Sequence, residues 1–164
     1  MIAVANASVL IGLSAIDRLA LLLARFPGGI VIPDAVWCEV VEAGGSRPGA
    51  HAVRGAPWIR RQAAGNPGWV RLLRTELDEG EAETIVLASE LSAGVVLLDE
   101  RDARRLAERI GLRVLGTVGV LVWARRVGQI ASLRVELDAL AGRGRFRLSS
   151  QVLRDRALRE VGEA

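Results

Sequence analysis

Short apolar runs alternate with amphipathic segments along most of the chain. The first run, Ile2 to Ala5, ends at Asn6 and reads as a buried strand. The next segment, with Ser8 as its candidate cap, reads as a helix to about Arg25, stopped by Pro27-Gly28-Gly29. Ile30-Val31-Ile32 repeats the strand pattern and ends at Pro33, after which Asp34 caps a helix to about Ala43. The stretch GGSRPGAHAVRGAP (44–57) reads as a loop in which HAVR can form a helical turn. Trp58 to Gln62 fits an edge strand, and Asn66-Pro67-Gly68 fits a turn into a short helix. A further helix follows Gly80 to about Leu91, and GVVLLD (94–99) is an apolar strand ending in an acid. Arg101 to Ile110 is an Arg-rich amphipathic helix, Leu112 to Leu115 is a short strand, and Gly116-Thr117 opens a helix to about Val127. Two more helical segments flank Gly142-Arg143-Gly144.

Short buried strands separated by helices predict an α/β fold, a parallel sheet covered on both faces. Ligands bind such folds beyond the carboxyl ends of the strands. The polar residues at those ends are Asn6 after the first strand, Asp34 and Glu39 after the second, and Asp99, Glu100 and Asp102 after a later one. Another acidic group, ELDEGEAE (76–83), precedes the apolar run TIVLA. Helical spacing places Glu81 with Ile85 and Ala88 on one face, so Glu81 sits on an apolar stripe. Glu83 aligns with Leu87 and Glu90 on a mixed face. Glu76, Asp78 and Glu79 precede the helix or lie in its first turn, where they favour the positive end of the helix dipole and face water. Most acids in such positions are caps or solvated groups, and Asp99 could likewise cap the helix starting near Arg101. Taken together, however, several acids at one sheet edge repel each other unless a cation stands between them. Hard divalent ions such as Mg²⁺ or Mn²⁺ accept oxygen ligands of this kind.

Composition narrows the picture. The 164 residues suit a single domain spanning 1–164 with a sizeable core, and 51% hydrophobic content excludes a disordered chain. All 22 basic residues are Arg and the net charge is +3, which permits a nucleic-acid partner without requiring one. The single Cys38 excludes an internal disulfide and fits a reducing cytoplasm. No charged leader precedes the first apolar run, and Asp17, Arg18 and Arg25 interrupt the 7–26 run, so no membrane span is expected. One His and one Cys make a zinc site untenable, and no glycine-rich nucleotide loop follows a strand. Arg101, Arg104 and Arg105 could contact a phosphate backbone or simply form a solvated face, and Arg47, Arg54, Arg60 and Arg61 carry the same ambiguity. Ser8 could bind phosphate but caps helices more often, and Thr117 reads as an N-cap within reach of the site edge. The four Trp residues suit core or interface packing better than base stacking. Apolar surplus in LALLLARF and VGVLVWARR suggests a partner surface.

The segments NASVLIGLSAIDRLALL, IVIPDAVWCEV, LDEGEAETIVLASE, GVVLLDERDARRLAERIGLRVLGTVGVL and FRLSS, in this order, resemble a prokaryotic branch of the PIN-domain proteins, the VapC-like ribonucleases of toxin–antitoxin modules. The resemblance covers most of the chain, and the combination of GEAE, LLDERDAR and GTVGVL carries it. It implies a three-layer α/β/α fold and an acid cluster holding one or two Mg²⁺ or Mn²⁺ ions. It also implies cleavage of RNA phosphodiesters, restraint by a small antitoxin protein, and homodimers. Carried over by position, the metal ligands fall on Asn6, Glu39, Glu81 (with Glu83 adjacent) and Asp99, with Asp102 a further member. Glu39, Glu81 and Asp99 are then the catalytic acids; Ser8, Arg101, Arg104 and Thr117, weighed above on their own chemistry, are the candidates for substrate contact. Asn6 stands where most PIN domains carry Asp. Its amide oxygen can ligate but brings no charge and cannot act as a base. A PIN-like module that binds RNA or protein without cleaving it is the alternative this departure raises.

Overall fold

The computed structural model describes residues 1–143 and 151–164. FRLSS and Gly144 lie outside the described residues. Five strands form one all-parallel sheet: β1 (Ala3–Ala5), β2 (Ile30–Ile32), β3 (Ile59–Arg61), β4 (Val95–Leu97) and β5 (Val114–Leu115), in the order β3-β2-β1-β4-β5. The helices are α1 (Ala7–Ala15), α2 (Ala20–Arg25), α3 (Asp34–Trp37), α4 (Pro48–Arg54), α5 (Pro67–Leu73), α6 (Glu79–Glu90), α7 (Arg101–Arg109), α8 (Thr117–Arg126), α9 (Leu133–Gly142) and α10 (Gln151–Glu160). A π turn over Cys38–Glu42 continues α3.

The two-residue period of the strands builds the layers. Ala3, Ala5, Ile30, Ile32, Val95 and Leu97 face one core, with Val9, Leu10 and Leu13 of α1, Leu121 of α8 and Leu137 of α9. Val4, Val31 and Val96 face the other, with Ile85 and Leu87 of α6 and Ala103 and Ala107 of α7. Strands covered on both sides need apolar residues at every position, which is why β1, β2 and β4 read as unbroken apolar runs. The result is the three-layer α/β/α arrangement. Among the described residues no helix is long and apolar enough to cross a membrane.

Several local expectations are corrected. The predicted helix to Arg25 is two helices, because Asp17 adopts a left-handed conformation (φ 59°) that an Asp side chain tolerates. The turn presents Arg18 to the buried Glu136 of α9, to which its Nε and Nη2 donate at 3.0 and 2.7 Å. The 44–57 loop contains α4, with Pro48 in the first helical position where its missing N–H costs nothing. Caps were assigned one or two residues late: α1 begins behind Asn6, α3 behind Pro33 and α8 behind Gly116, so Ser8, Asp34 and Thr117 lie inside their helices. Asn66 does cap α5, accepting from Trp69 N at 2.9 Å. The apolar surplus of α2 and α8 goes largely into the core through Leu21, Leu22, Val120, Leu121 and Val122, leaving Leu23 exposed. That removes much of the reason for a partner surface there.

Candidate functional site

The chain runs outward from β1 through β2 to β3, then returns to the other side of β1 for β4 and β5. The carboxyl ends of β1 and β4 therefore flank the point where strand order reverses, the usual crevice of a doubly wound sheet. Asn6 leaves β1 there, and its backbone N–H donates to Leu97 O at 3.0 Å, tying the two strand ends together. The Asn6 side chain is only 5% exposed, and its Oδ1 has no hydrogen-bond partner. A buried amide oxygen without a donor costs about 1–3 kcal/mol, so this atom asks for an explanation.

Gly80, near the start of α6, supplies the geometry. A Cβ at this position would lie 3.1 Å from Asn6 Oδ1, 3.4 Å from Glu39 Oε2 and 3.6 Å from Asp78 Oδ1. Three oxygens from three elements thus converge on a spot kept open because residue 80 has no side chain. Beside it lies an open pocket of about 480 Å³, lined by Asp34, Ala35, Cys38, Glu39, Asp78, Glu79, Gly80 and Glu83. Five of these eight are acids, so without a counter-cation the pocket repels phosphate.

The predicted site residues divide by role. Glu39 sits in the π turn and is exposed overall. Partial desolvation of its carboxyl, then the charge of Asp78, push its pKa up. Glu81 is buried and closes a capping box: its N–H donates to Asp78 Oδ1 at 2.8 Å, and its Oε2 accepts from Asp78 N at 3.0 Å. Burial raises its pKa, the Asp78 N–H lowers it, and the charges of Asp78, Glu100 and Asp102 raise it again. Asp102 itself is exposed. Glu83 accepts from Ala35 N at 2.9 Å, satisfying the start of α3.

Asp99 does cap a helix, but α8 rather than α7. Its Oδ1 accepts from Thr117 N and its Oδ2 from Thr117 Oγ1, both at 2.7 Å. Burial raises the Asp99 pKa; the two Thr117 bonds, the Arg104 charge and the facing Ser8 hydroxyl pull it part of the way back. The Ser8 Oγ is buried and, like Asn6 Oδ1, has no hydrogen-bond partner. Arg104 Nη1 donates to Leu98 O at 2.8 Å, so this guanidinium steadies the end of β4. Gly116 makes room, since a Cβ there would lie 3.0 Å from Asp99 Oδ1 and 2.7 Å from Arg104 Nη1. Arg101 is exposed at the start of α7. Among the basic residues of 47–61, Arg61 pairs with Asp34 at 2.6 Å and lies 5.8 Å over the Trp37 ring.

Asp78 is the residue that pattern reading assigned to solvent. It is exposed, yet its Oδ1 lies 3.6 Å from the same open position at Gly80 that Asn6 and Glu39 border. The available signal was the Asp-x-x-Glu capping box from Asp78 to Glu81, which fixes where the Asp78 carboxylate points.

Among the described residues, no group of three or more His, Cys, Asp or Glu side chains is close enough to hold a metal ion. The set that converges at Gly80 has two acids and one amide. Its donor chemistry nevertheless suits a hard divalent cation, because all three are oxygens and the buried Asn6 Oδ1 has no other partner. No curated protein and no solved structure matches the chain. A family model described as a PIN domain matches residues 2–163. The chain belongs to the PIN-domain family.

Proposed function

We propose that this protein is a metal-dependent endoribonuclease that hydrolyses RNA phosphodiester bonds as the toxin of a toxin–antitoxin module. PIN domains are generally nucleases and typically use divalent metal ions, which supplies the class. The observation that carries the reading is the buried, unpartnered Asn6 Oδ1 facing Glu39 and Asp78 at the point of strand reversal. Asn6, Glu39, Glu81 and Asp99, with Asp102 at the rim, would hold Mg²⁺ or Mn²⁺ once the ion draws together acids that stand too far apart without it. When bound, such an ion neutralises phosphate charge and makes water a better nucleophile. Glu39 and Glu81 are the carboxylates offered for taking a proton from a bound water, and burial raises the pKa of both above the ordinary carboxylate value. Thr117 holds Asp99 in place while each Asp99 oxygen keeps a second lone pair. Arg101 at the rim would meet the RNA backbone, a contact without sequence preference. The toxin assignment rests on the sequence segments that resemble the VapC-like branch, and a small antitoxin and a second copy of the chain are the partners that reading implies.

The test is incubation of the purified protein with single-stranded and structured RNAs in Mg²⁺, Mn²⁺ or EDTA. The expected result is cleavage that EDTA stops. A folded protein that binds RNA and cleaves none of the panel in either metal would favour the non-catalytic alternative, to which the uncharged Asn6 points.

A further inference from the structure

Position 6 lacks the charge that a carboxylate would bring, and the neighbouring geometry offers a substitute. Asp78 Oδ1 stands with Asn6 Oδ1 and Glu39 Oε2 around the open position at Gly80. The Asp78 carboxylate is fixed there, because it is the N-cap of α6 and accepts from Glu81 N at 2.8 Å. That bond uses one lone pair of Oδ1 and leaves the other, and Oδ2, free to accept. Among the described residues Glu39 accepts no hydrogen bond and forms no ion pair, so its oxygens are available too. Asn6 Oδ1 provides the independent indication that something binds here: it is an acceptor on a side chain 5% exposed, 3.1 Å from the open position at Gly80, with no donor.

Resting on the metal-ion reading above, we infer that Asp78 replaces the missing carboxylate of position 6. Asp78 thus joins Asn6 and Glu39 as a ligand of one hard divalent cation beside Gly80. An ion here also relieves the repulsion between the two acids, which in its absence face one another without a cation. Gly80 is then a requirement of the ligand as much as of the backbone. A methyl group at residue 80 would stand 3.1 Å from Asn6 Oδ1 and 3.4 Å from Glu39 Oε2, crowding the oxygens an ion would draw together.

The test is Mn²⁺ binding by isothermal titration calorimetry on the full chain, with a thermal melt in EDTA reporting folding separately. Asp78→Asn keeps a good cap, since Asn serves that position as well as Asp, and removes only the charge. It is expected to weaken Mn²⁺ binding by about 10–100-fold, the usual cost of disturbing a metal's ligand environment. Asn6→Asp in the same chain restores the number of carboxylates and is expected to return affinity to the wild-type range. Gly80→Ala is expected to weaken Mn²⁺ binding, its melt in EDTA showing that the variant is folded. Unchanged affinity in Asp78→Asn, alongside loss in Glu39→Gln, would overturn the role of Asp78 and leave the metal-ion reading standing. Absence of Mn²⁺ binding by the wild-type chain would overturn both.

Discussion

Two carboxylate centres in this protein have opposite surroundings. Near the C-terminal end of the chain, Glu163 accepts from Ser132 Oγ, Leu133 N, Arg134 N and Arg125 Nε at 2.7–3.0 Å. It closes the N-terminus of α9, and the Arg134 N–H first among these donors lowers its pKa to about 2. At the strand-reversal point, Glu39 has no such donor, Asn6 Oδ1 is orphaned, and Glu39, Glu81 and Asp99 all have raised pKa values with burial as the leading cause. The same chemical group is thus structural at Glu163, where the fold supplies its donors, and is left without a donor at Glu39, where the proposed cation would stand. Glu81 and Asp99 do find donors, in Asp78 N and Thr117, so the unmet demand at this edge belongs to Glu39 and the Asn6 amide.

The difference can be broken in steps. The largest effect is expected from Asp99→Asn, which keeps an acceptor for Thr117 and therefore folds, but loses the charge; RNA cleavage should drop by at least about 100-fold, measured as initial rates in Mn²⁺. Next, Glu163→Gln removes a charged acceptor of several hydrogen bonds and should cost about 1–3 kcal/mol in urea unfolding, with cleavage by the remaining folded protein unaltered. A smaller change of opposite direction is expected from Glu39→Gln: in EDTA its melting temperature should equal or exceed that of the wild type, because an unpaired acid next to Asp78 has gone. The smallest is Arg61→Gln, which breaks an exposed pair with Asp34 and should leave the melt where it was.

Much of this architecture was legible in the chain. Apolar runs at 2–5, 30–32 and 94–98 gave β1, β2 and β4, and their polar ends marked Asn6, Glu39 and Asp99 on one edge. Periodicity also placed Glu81 inward. What escaped depends on side-chain direction rather than spacing. Ser8, Asp34 and Thr117 have cap-forming side chains, but Asn6, Pro33 and Gly116, one or two residues earlier, take the extended conformation that begins each helix. The π turn at Cys38–Glu42 departs from the 3.6-residue period on which face assignment rests. Asp78 lies outside the α6 period, so only its capping bond to Glu81 reveals that it faces the site.

The pH dependence of stability separates the two centres by sign. Glu163, with its lowered pKa, is ionised in the fold where the unfolded chain has already taken up its proton. Its contribution is complete above about pH 4.5 and is lost as pH falls toward about 2. Glu39, Glu81 and Asp99 retain protons in the fold that the unfolded chain has released, so their contribution weakens as pH rises past ordinary carboxylate values. A divalent cation should remove that second penalty, and do so most where the acids are ionised. The most direct measurement is therefore the melting temperature in EDTA and in Mn²⁺, at about pH 5 and about pH 7. A Mn²⁺-induced rise that is larger at the higher pH is the predicted result; identical melts with and without Mn²⁺ at both pH values would contradict a cation site at this edge.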